Sequence, residues 1–295
     1  MNRKLKNTIA SKLMLLATIS STSLVFIMAF VLYRKSVKIF SNRSLIDLLL
    51  KSSWAPTKGD FGFYPFITST VLVTGLAMSL SIPLCLLTAI YLSEYAPSKV
   101  RGIIKPILDL LSGIPSVVFG LWGVSFVVPI IRDYISQFVG VTTTGYCLLS
   151  GGIVLALMVF PIIISVSDEV LRSVPFEVRE ASFSLGATKW QTVKYAVIRR
   201  ALPGIIAAII LGFSRAFGET MAVLMVVGNV AKVPSSLFDP AYPLPSLIAN
   251  NYGEMMSIPL YDSAIMFAAL LLMLVISFFS IIARIIQLKI ERRSL

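Results

Sequence analysis

Long apolar runs separated by short polar stretches organise this chain. A bilayer-spanning helix needs about 20 mostly apolar residues. Six runs reach that length: Leu13–Leu32, Pro65–Leu92, Ile107–Ile131, Tyr146–Val166, Leu202–Val227 and Ser263–Leu288. The pattern predicts an all-α, polytopic membrane protein with six spanning helices. Pro83, Pro115 and Pro161 fall inside or near the interiors of these runs. Spanning helices tolerate proline because neighbours re-satisfy the freed carbonyls, so the three predict kinks rather than ends. The first run is too long for a cleavable signal and lacks a small-residue cleavage site, so it reads as an anchor. The loop Lys35–Tyr64 separates an anchor helix and its loop, residues 1–64, from a five-helix core, residues 65–290. Trp54 and Tyr91, near the ends of runs, read as interfacial anchors.

Composition agrees with the pattern. The chain is 57% hydrophobic and 14% charged, against roughly a quarter charged in a soluble domain. Its formal net charge of +12 does not imply nucleic-acid binding. Lys and Arg of a membrane protein gather on cytoplasmic loops, where they fix orientation and meet anionic lipid. With a cytoplasmic N-terminus, 17 of the 26 Lys and Arg fall on the cytoplasmic side and eight outside, with Arg215 left within a run. Both termini are therefore expected in the cytoplasm, although Arg34, Lys35 and Lys38 directly follow the first span. Cys85 and Cys147 both sit in apolar runs, as small packing residues do.

One run carries a puzzle. Gly212-Phe213-Ser214-Arg215-Ala216-Phe217-Gly218-Glu219-Thr220-Met221 places an Arg and a Glu inside apolar sequence. Read as one helix, Arg215 and Glu219 are four residues apart and share a face. Gly212, Gly218 and Ala222 lie on or beside that face, and small residues there admit a close helix or ligand. A charge at mid-bilayer costs about 2.5–3.5 kcal/mol on insertion scales, so both must face protein or water. Two roles fit: an ion pair that sets packing, or an Arg lining an anion path with Glu219 orienting and partly neutralising it. An Arg fork suits a tetrahedral oxyanion. Asn229, further on, reads as a cap.

Much chemistry is missing. The chain has no histidine, which removes the commonest general base and a common metal ligand. No G-x-x-x-x-G-K-[ST] loop occurs, so the chain is not expected to bind ATP itself. Intramembrane carboxylates are scarce, which disfavours a membrane-embedded enzyme or a proton-coupled carrier with its relay of acids. No catalytic residue, metal site or cofactor is implied.

The longest polar stretch inside the core, residues 168–203, begins DEVLRSVPFEVREASFSLGATKW. Pro175 can open a helix and Glu177 suits its positive end. Gly186 breaks the pattern, and Thr188 can cap a second helix, Lys189–Val197. Such a hairpin is either a solvated interfacial element or a docking knob for a cytoplasmic partner. The stretch EASFSLGATKWQTVKYAVIRRALPGI closely resembles the EAA loop of bacterial-type ABC importer permeases. The match covers Glu180, Ala181, Gly186, Ala187, Trp190 and Leu202-Pro203-Gly204. Ser182 stands where a second Ala is usual, and Arg199 where an earlier Pro is common.

SGIPSVVFGLWG, from Ser112, and RAFGETMAVLMVVGN, from Arg215, further resemble the phosphate-specific permeases of the PstC type. The resemblance implies a type I ABC importer permease architecture and a subunit that forms half of a phosphate pathway. It implies a second permease, two ATP-binding subunits and an extracytoplasmic phosphate-binding protein as partners, in the cell inner membrane. It implies that Arg215 and Glu219 line the path, and that Glu180, Ala181, Gly186 and Ala187 couple it to the ATPase. Sulfate, molybdate or phosphonate are alternative substrates for such a loop. An ion-coupled secondary carrier would show paired inverted repeats, and none is evident.

Overall fold

The computed structural model describes residues 3–42, 44–254 and 259–294. Among them, six helices are long and apolar enough to cross a membrane. The first, α1 (Arg3–Asn42), is followed by a short helix α2 (Leu45–Leu50) and a two-stranded antiparallel hairpin, β1 (Trp54–Ala55) and β2 (Asp60–Phe61). Then come α3 (Tyr64–Tyr95), α4 (Ser98–Gly113), α5 (Ser116–Val139) and α6 (Leu148–Ser173). A short helix α7 (Phe176–Ser184) leads to α8 (Lys189–Gly218). The chain closes with α9 (Met221–Val226), α10 (Leu244–Asn251) and α11 (Pro259–Ser294).

Two packing centres hold these helices. In the first, α6 lies between α3 and α8, burying Val73, Ala77, Leu155, Val159 and Ile163 together with Ala216 and Val223. Gly212 sits where α8 meets α6, and an added Cβ would come within 2.6 Å of Ile163. Small residues at such crossings let backbones approach, which matters where lipid supplies no hydrophobic drive. The second centre is aromatic. Trp54 packs edge-on against Phe61, Phe63 and Phe66, and Tyr242, Tyr261 and Phe267 join the same cluster. Trp54 is therefore a packing residue, half-buried at the ends of α3 and α11, whereas Tyr91 is 49% exposed. The outer face of α1 remains open, with Leu13, Leu16 and Phe26 all exposed, as expected of a lipid-facing helix.

Pro83 and Pro161 lie inside their helices, as the apolar pattern predicts. Pro115 does not. It leaves the helical region with ψ of 142° and separates α4 from α5. The expected third span, Ile107–Ile131, is thus two elements, and the spanning helix is Ser116–Val139. The residue before proline disfavours the α region, and here Ile114 is extended as well, so the chain stops rather than bends.

The irregular segment 227–243 returns into the bundle at the end where α3 and α6 begin. Its backbone is satisfied by neighbours: Ala241 N donates to Val227 O, and Leu148 and Leu149 N donate to Asp239 O and Leu237 O. Ser69 Oγ accepts from Tyr242 N at 3.1 Å and Thr70 Oγ1 from Leu244 N at 2.8 Å. Non-helical backbone is tolerated within a membrane bundle only with such partners. Cys85 and Cys147 are free and buried.

Candidate functional site

Two sites carry the residues singled out by sequence. The first is the end of α8. The expected helix Leu202–Val227 is not continuous: α8 ends at Gly218, and Glu219 is extended with ψ of 127°. Helix resumes at Met221 as α9. Arg215 and Glu219 therefore do not share a helix face, which corrects the sequence expectation. Glu219 is half-buried and its carboxylate accepts the Ala222 amide at 3.1 Å. It caps α9, where a carboxylate meets unpaired N–H groups and the positive end of the helix dipole. No ion pair forms between Arg215 and Glu219 among the described residues. Arg215 is exposed, beside Leu211 and Gly218, which are exposed too.

The break is held by packing on its far side. Ala216, Phe217, Ala222, Val223 and Val226 are buried around it. Phe217 stacks on Phe279 of α11, and Phe213 meets both rings. Glu219 shares a crevice with Thr70, Thr74 and Leu155. Leu155 is seven residues into α6, or about 10 Å along its axis at 1.5 Å per residue. The break thus lies well inside the spanning region. Asn229 has φ of 52° and its Nδ2 donates to Leu224 O at 2.7 Å, closing the end of α9 as a cap should.

The second site is the hairpin of α7 and the start of α8, at the opposite end of the bundle. Pro175 precedes α7 and Glu177 lies in its first turn. Gly186 has φ of +79°, a conformation that costs an ordinary residue roughly 1–2 kcal/mol. Thr188 and Gln191 form a capping box: Thr188 Oγ1 accepts Gln191 N, and Gln191 Oε1 accepts Thr188 N. The second arm is longer than the expected Lys189–Val197. It runs through a π turn, Val193–Val197, straight into the spanning helix. Arg199 and Pro203 both lie within that continuous helix. Ser182 Oγ, placed where alanine was usual, meets Thr192 Oγ1 at 2.9 Å and ties the two arms together.

The knob is exposed and apolar at its tip. Glu180, Ala181 and Gly186 are exposed and Ala187 is half-buried. Leu185 is 89% exposed, with Phe183 and Trp190 also open. Its root is fixed by an ion pair that sequence reasoning missed. Arg179 Nη2 meets Glu94 Oε1 at 2.6 Å, with side chains 14% and 8% exposed. The same guanidinium donates to Val174 O and Leu171 O. Lys189 Nζ lies 4.5 Å over the Tyr95 ring. Glu94 and Arg179 are 85 residues apart, and no local signal joins them.

Such a bundle, with an exposed knob between two spans, is comparable with known proteins. The family described as the binding-protein-dependent transport system inner membrane component matches residues 81–293. The chain belongs to that family of permeases. A probable ABC transporter permease, YqgH of Bacillus subtilis strain 168, is 40% identical over 72% of this permease and 67% of its own length. A phosphate transport system permease protein, PstC of Xylella fastidiosa strain 9a5c, is 33% identical over 84% of this permease and 80% of its own. A probable PstC of Methanocaldococcus jannaschii is also 33% identical, over 78% of each chain. The PstC-type resemblance read from the motifs is thus matched over most of the permease.

Solved structures agree on the fold. An inward-facing MetNI methionine ABC transporter chain superposes with a TM-score of 0.57 at 18% identity, covering 75% of this permease and 93% of that chain. A bacterial alginate importer chain gives 0.53 at 18%, covering 99% and 98%. The architecture is that of a type I ABC importer permease, and the permease is a multi-pass membrane protein.

Proposed function

We propose that this permease carries inorganic phosphate as half of the pathway of an ATP-driven importer. The observation that carries the substrate is the run of relatives named phosphate transport system permease PstC, matched over most of both chains. Arg215 supports it chemically. It is exposed on a spanning helix, and lipid around a guanidinium is costly. Another subunit or a water-filled path must cover it. Its fork donates bidentate bonds to a tetrahedral oxyanion. With Glu219 engaged in capping, Arg215 has no ion-pair partner among the described residues and its fork is open to an anion.

The reading assigns the knob around Glu180, Ala181, Gly186 and Ala187 to an ATP-binding subunit. Its exposed apolar tip suits a partner rather than water. A second permease, two ATP-binding subunits and a phosphate-binding protein complete the assembly, and both termini face the cytoplasm. A cysteine at Ser53, with Cys85 and Cys147 replaced, should then react with an impermeant thiol reagent on intact cells. Labelling only in opened membranes would invert the orientation.

The test of substrate is uptake by cells lacking other phosphate importers, normalised to assembled complex. Arg215→Lys keeps the charge and loses the fork, so uptake should fall strongly. Arg215→Gln with Glu219→Gln should assemble and transport poorly. The reversal Arg215→Glu with Glu219→Arg should not rescue, because Glu219 serves the Ala222 amide and not Arg215. Wild-type uptake by the doubly neutral variant would make both charges structural. Uptake of sulfate in place of phosphate would select the other-oxyanion alternative.

A further inference from the structure

Along one face of α6, Leu157, Phe160, Ile164, Asp168 and Arg172 follow one another at helical spacings of three and four, apolar first and then charged. Two hollows open on that face against α4, and Leu108 of α4 lines both. The hollow at the knob end has about 490 Å³ and is charged: Arg101, Lys105 and Asp109 face it from α4, and Asp168, Glu169 and Arg172 from α6. The hollow deeper in the spanning region has about 370 Å³ and is apolar, walled by Ile114, Val118 and Trp122 opposite Leu157, Phe160 and Ile164. It straddles the stop at Pro115, since Leu108 belongs to α4 and Val118 and Trp122 to α5.

Charge in the first hollow is balanced, three cations against three carboxylates, and none of the six is ion-paired among the described residues. A simple anion or cation meets as much repulsion as attraction there, whereas a zwitterion answers both signs. Asp168 sets where the positive end goes. It is only 9% exposed, and its Oδ1 has no hydrogen-bond partner. A buried carboxylate needs donors and a countercharge, and an ammonium group brings both. Lys105 and Arg172 are exposed at the rim, where a phosphate can take their donors. Arg101 is already committed, its guanidinium donating to the carbonyls of Leu92 and Ser93. The apolar hollow identifies the rest of the molecule. From Leu157 to Asp168 is about 16 Å along the helix at 1.5 Å per residue, and half of the roughly 30 Å hydrocarbon core is about 15 Å. A headgroup at Asp168 thus sets an acyl chain of the same leaflet against Leu157, Phe160 and Ile164.

We propose that the two hollows together hold one phosphatidylethanolamine from the leaflet at the knob end. Its ammonium donates to Asp168, its phosphate accepts from Lys105 and Arg172, and one acyl chain occupies the apolar hollow. Phosphatidylcholine, whose nitrogen has no N–H, cannot satisfy Asp168 Oδ1, and phosphatidylglycerol brings it no positive charge. The proposal does not depend on which substrate the permease carries.

The test is native mass spectrometry of the full-length permease, released from micelles holding equal amounts of dioleoyl phosphatidylethanolamine, phosphatidylcholine and phosphatidylglycerol. One phosphatidylethanolamine should be retained about tenfold more often than either of the others. Asp168→Asn keeps the shape and removes the countercharge, so the preference should fall to about twofold or less. Val118→Trp fills the apolar hollow and should cut retention of phosphatidylethanolamine. Where either variant fails to fold, successive N-methylation of the lipid reads the same demand on the unaltered chain: retention should fall with each N–H removed and be lowest for phosphatidylcholine. Glycerophosphoethanolamine, the headgroup without chains, should not displace the lipid. Equal retention of the three lipids, a preference for phosphatidylglycerol, indifference to N-methylation, an unchanged preference in Asp168→Asn, unchanged retention in Val118→Trp, or displacement by the chainless headgroup would each overturn the proposal.

Discussion

The permease interrupts its helices twice near the residues that matter, at Gly186 and at Glu219, and the two breaks are built differently. At Gly186 the turn is exposed and every device is local: a positive φ, a capping box and a clamp between Ser182 and Thr192. An added Cβ there would touch nothing within 4 Å. At Glu219 no glycine adopts a positive φ, and Ala216 and Phe217 before it and Ala222 and Val223 after it are buried in the bundle. One break is written into the turn chemistry. The other is held by tertiary contacts, Ala222 and Val226 of α9 being buried against α5 and α6. A surface knob can therefore be moved as a unit, whereas the inner break is set by the whole bundle.

The largest expected effect tests whether the knob is anchored as firmly as it is folded. Arg179→Met leaves Glu94 buried without its partner, and loss of one member of a buried pair costs about 3–5 kcal/mol. The thermal midpoint of purified permease should drop clearly, and Glu94→Gln added to Arg179→Met should recover much of it. A midpoint unchanged by Arg179→Met would mean that the knob is tethered elsewhere.

Glycine substitutions separate the two kinds of break. Gly212→Leu forces a side chain into Ile163 and Val159, and overpacking of this kind costs about 1–3 kcal/mol. It should lower the melting midpoint and disturb the Arg215 region together. Gly186→Val meets no neighbour and costs only the roughly 1–2 kcal/mol of the left-handed backbone. It should leave the bundle nearly as stable while ATPase stimulation and uptake fall. Equal loss of global stability from both would erase the distinction between local and tertiary control.

Thr188→Ala removes one half of the capping box, worth about 1 kcal/mol. Amide exchange should quicken at Gln191 and not at Ala222, whose cap comes from Glu219. Faster exchange at both would couple the breaks.

The smallest effect is a pH dependence in the segment behind the inner break. Hydrogen bonds from the Ser235 hydroxyl, then from the Ser235 and Ser236 amides, hold the Asp239 carboxyl below the usual carboxylate range. A depressed folded pKa gives stabilisation that is complete above the unfolded value, about 3.9, and lost as pH falls through the folded one. Exchange protection of Ser235 and Ser236 amides should therefore persist at pH 6 and fade as the pH drops below about 3.9. Asp239→Asn should flatten that response.

Sequence alone determined the membrane class, the number of spans and the knob. Six runs of about twenty apolar residues in one chain mark a membrane protein, and Pro175, Gly186 and Thr188 act through bonds made within a few residues. Pro115 and Glu219 were not legible in that way. Apolar stretches flank both positions closely, so hydropathy sees one span where the chain makes two elements. What decides there is contact between residues distant in sequence: Ala222 and Val226 against α5 and α6, and Phe217 against Phe279. The same holds for Glu94 with Arg179. A buried charge is satisfied by whatever the fold brings beside it, and that neighbour is set by tertiary packing rather than by spacing along the chain.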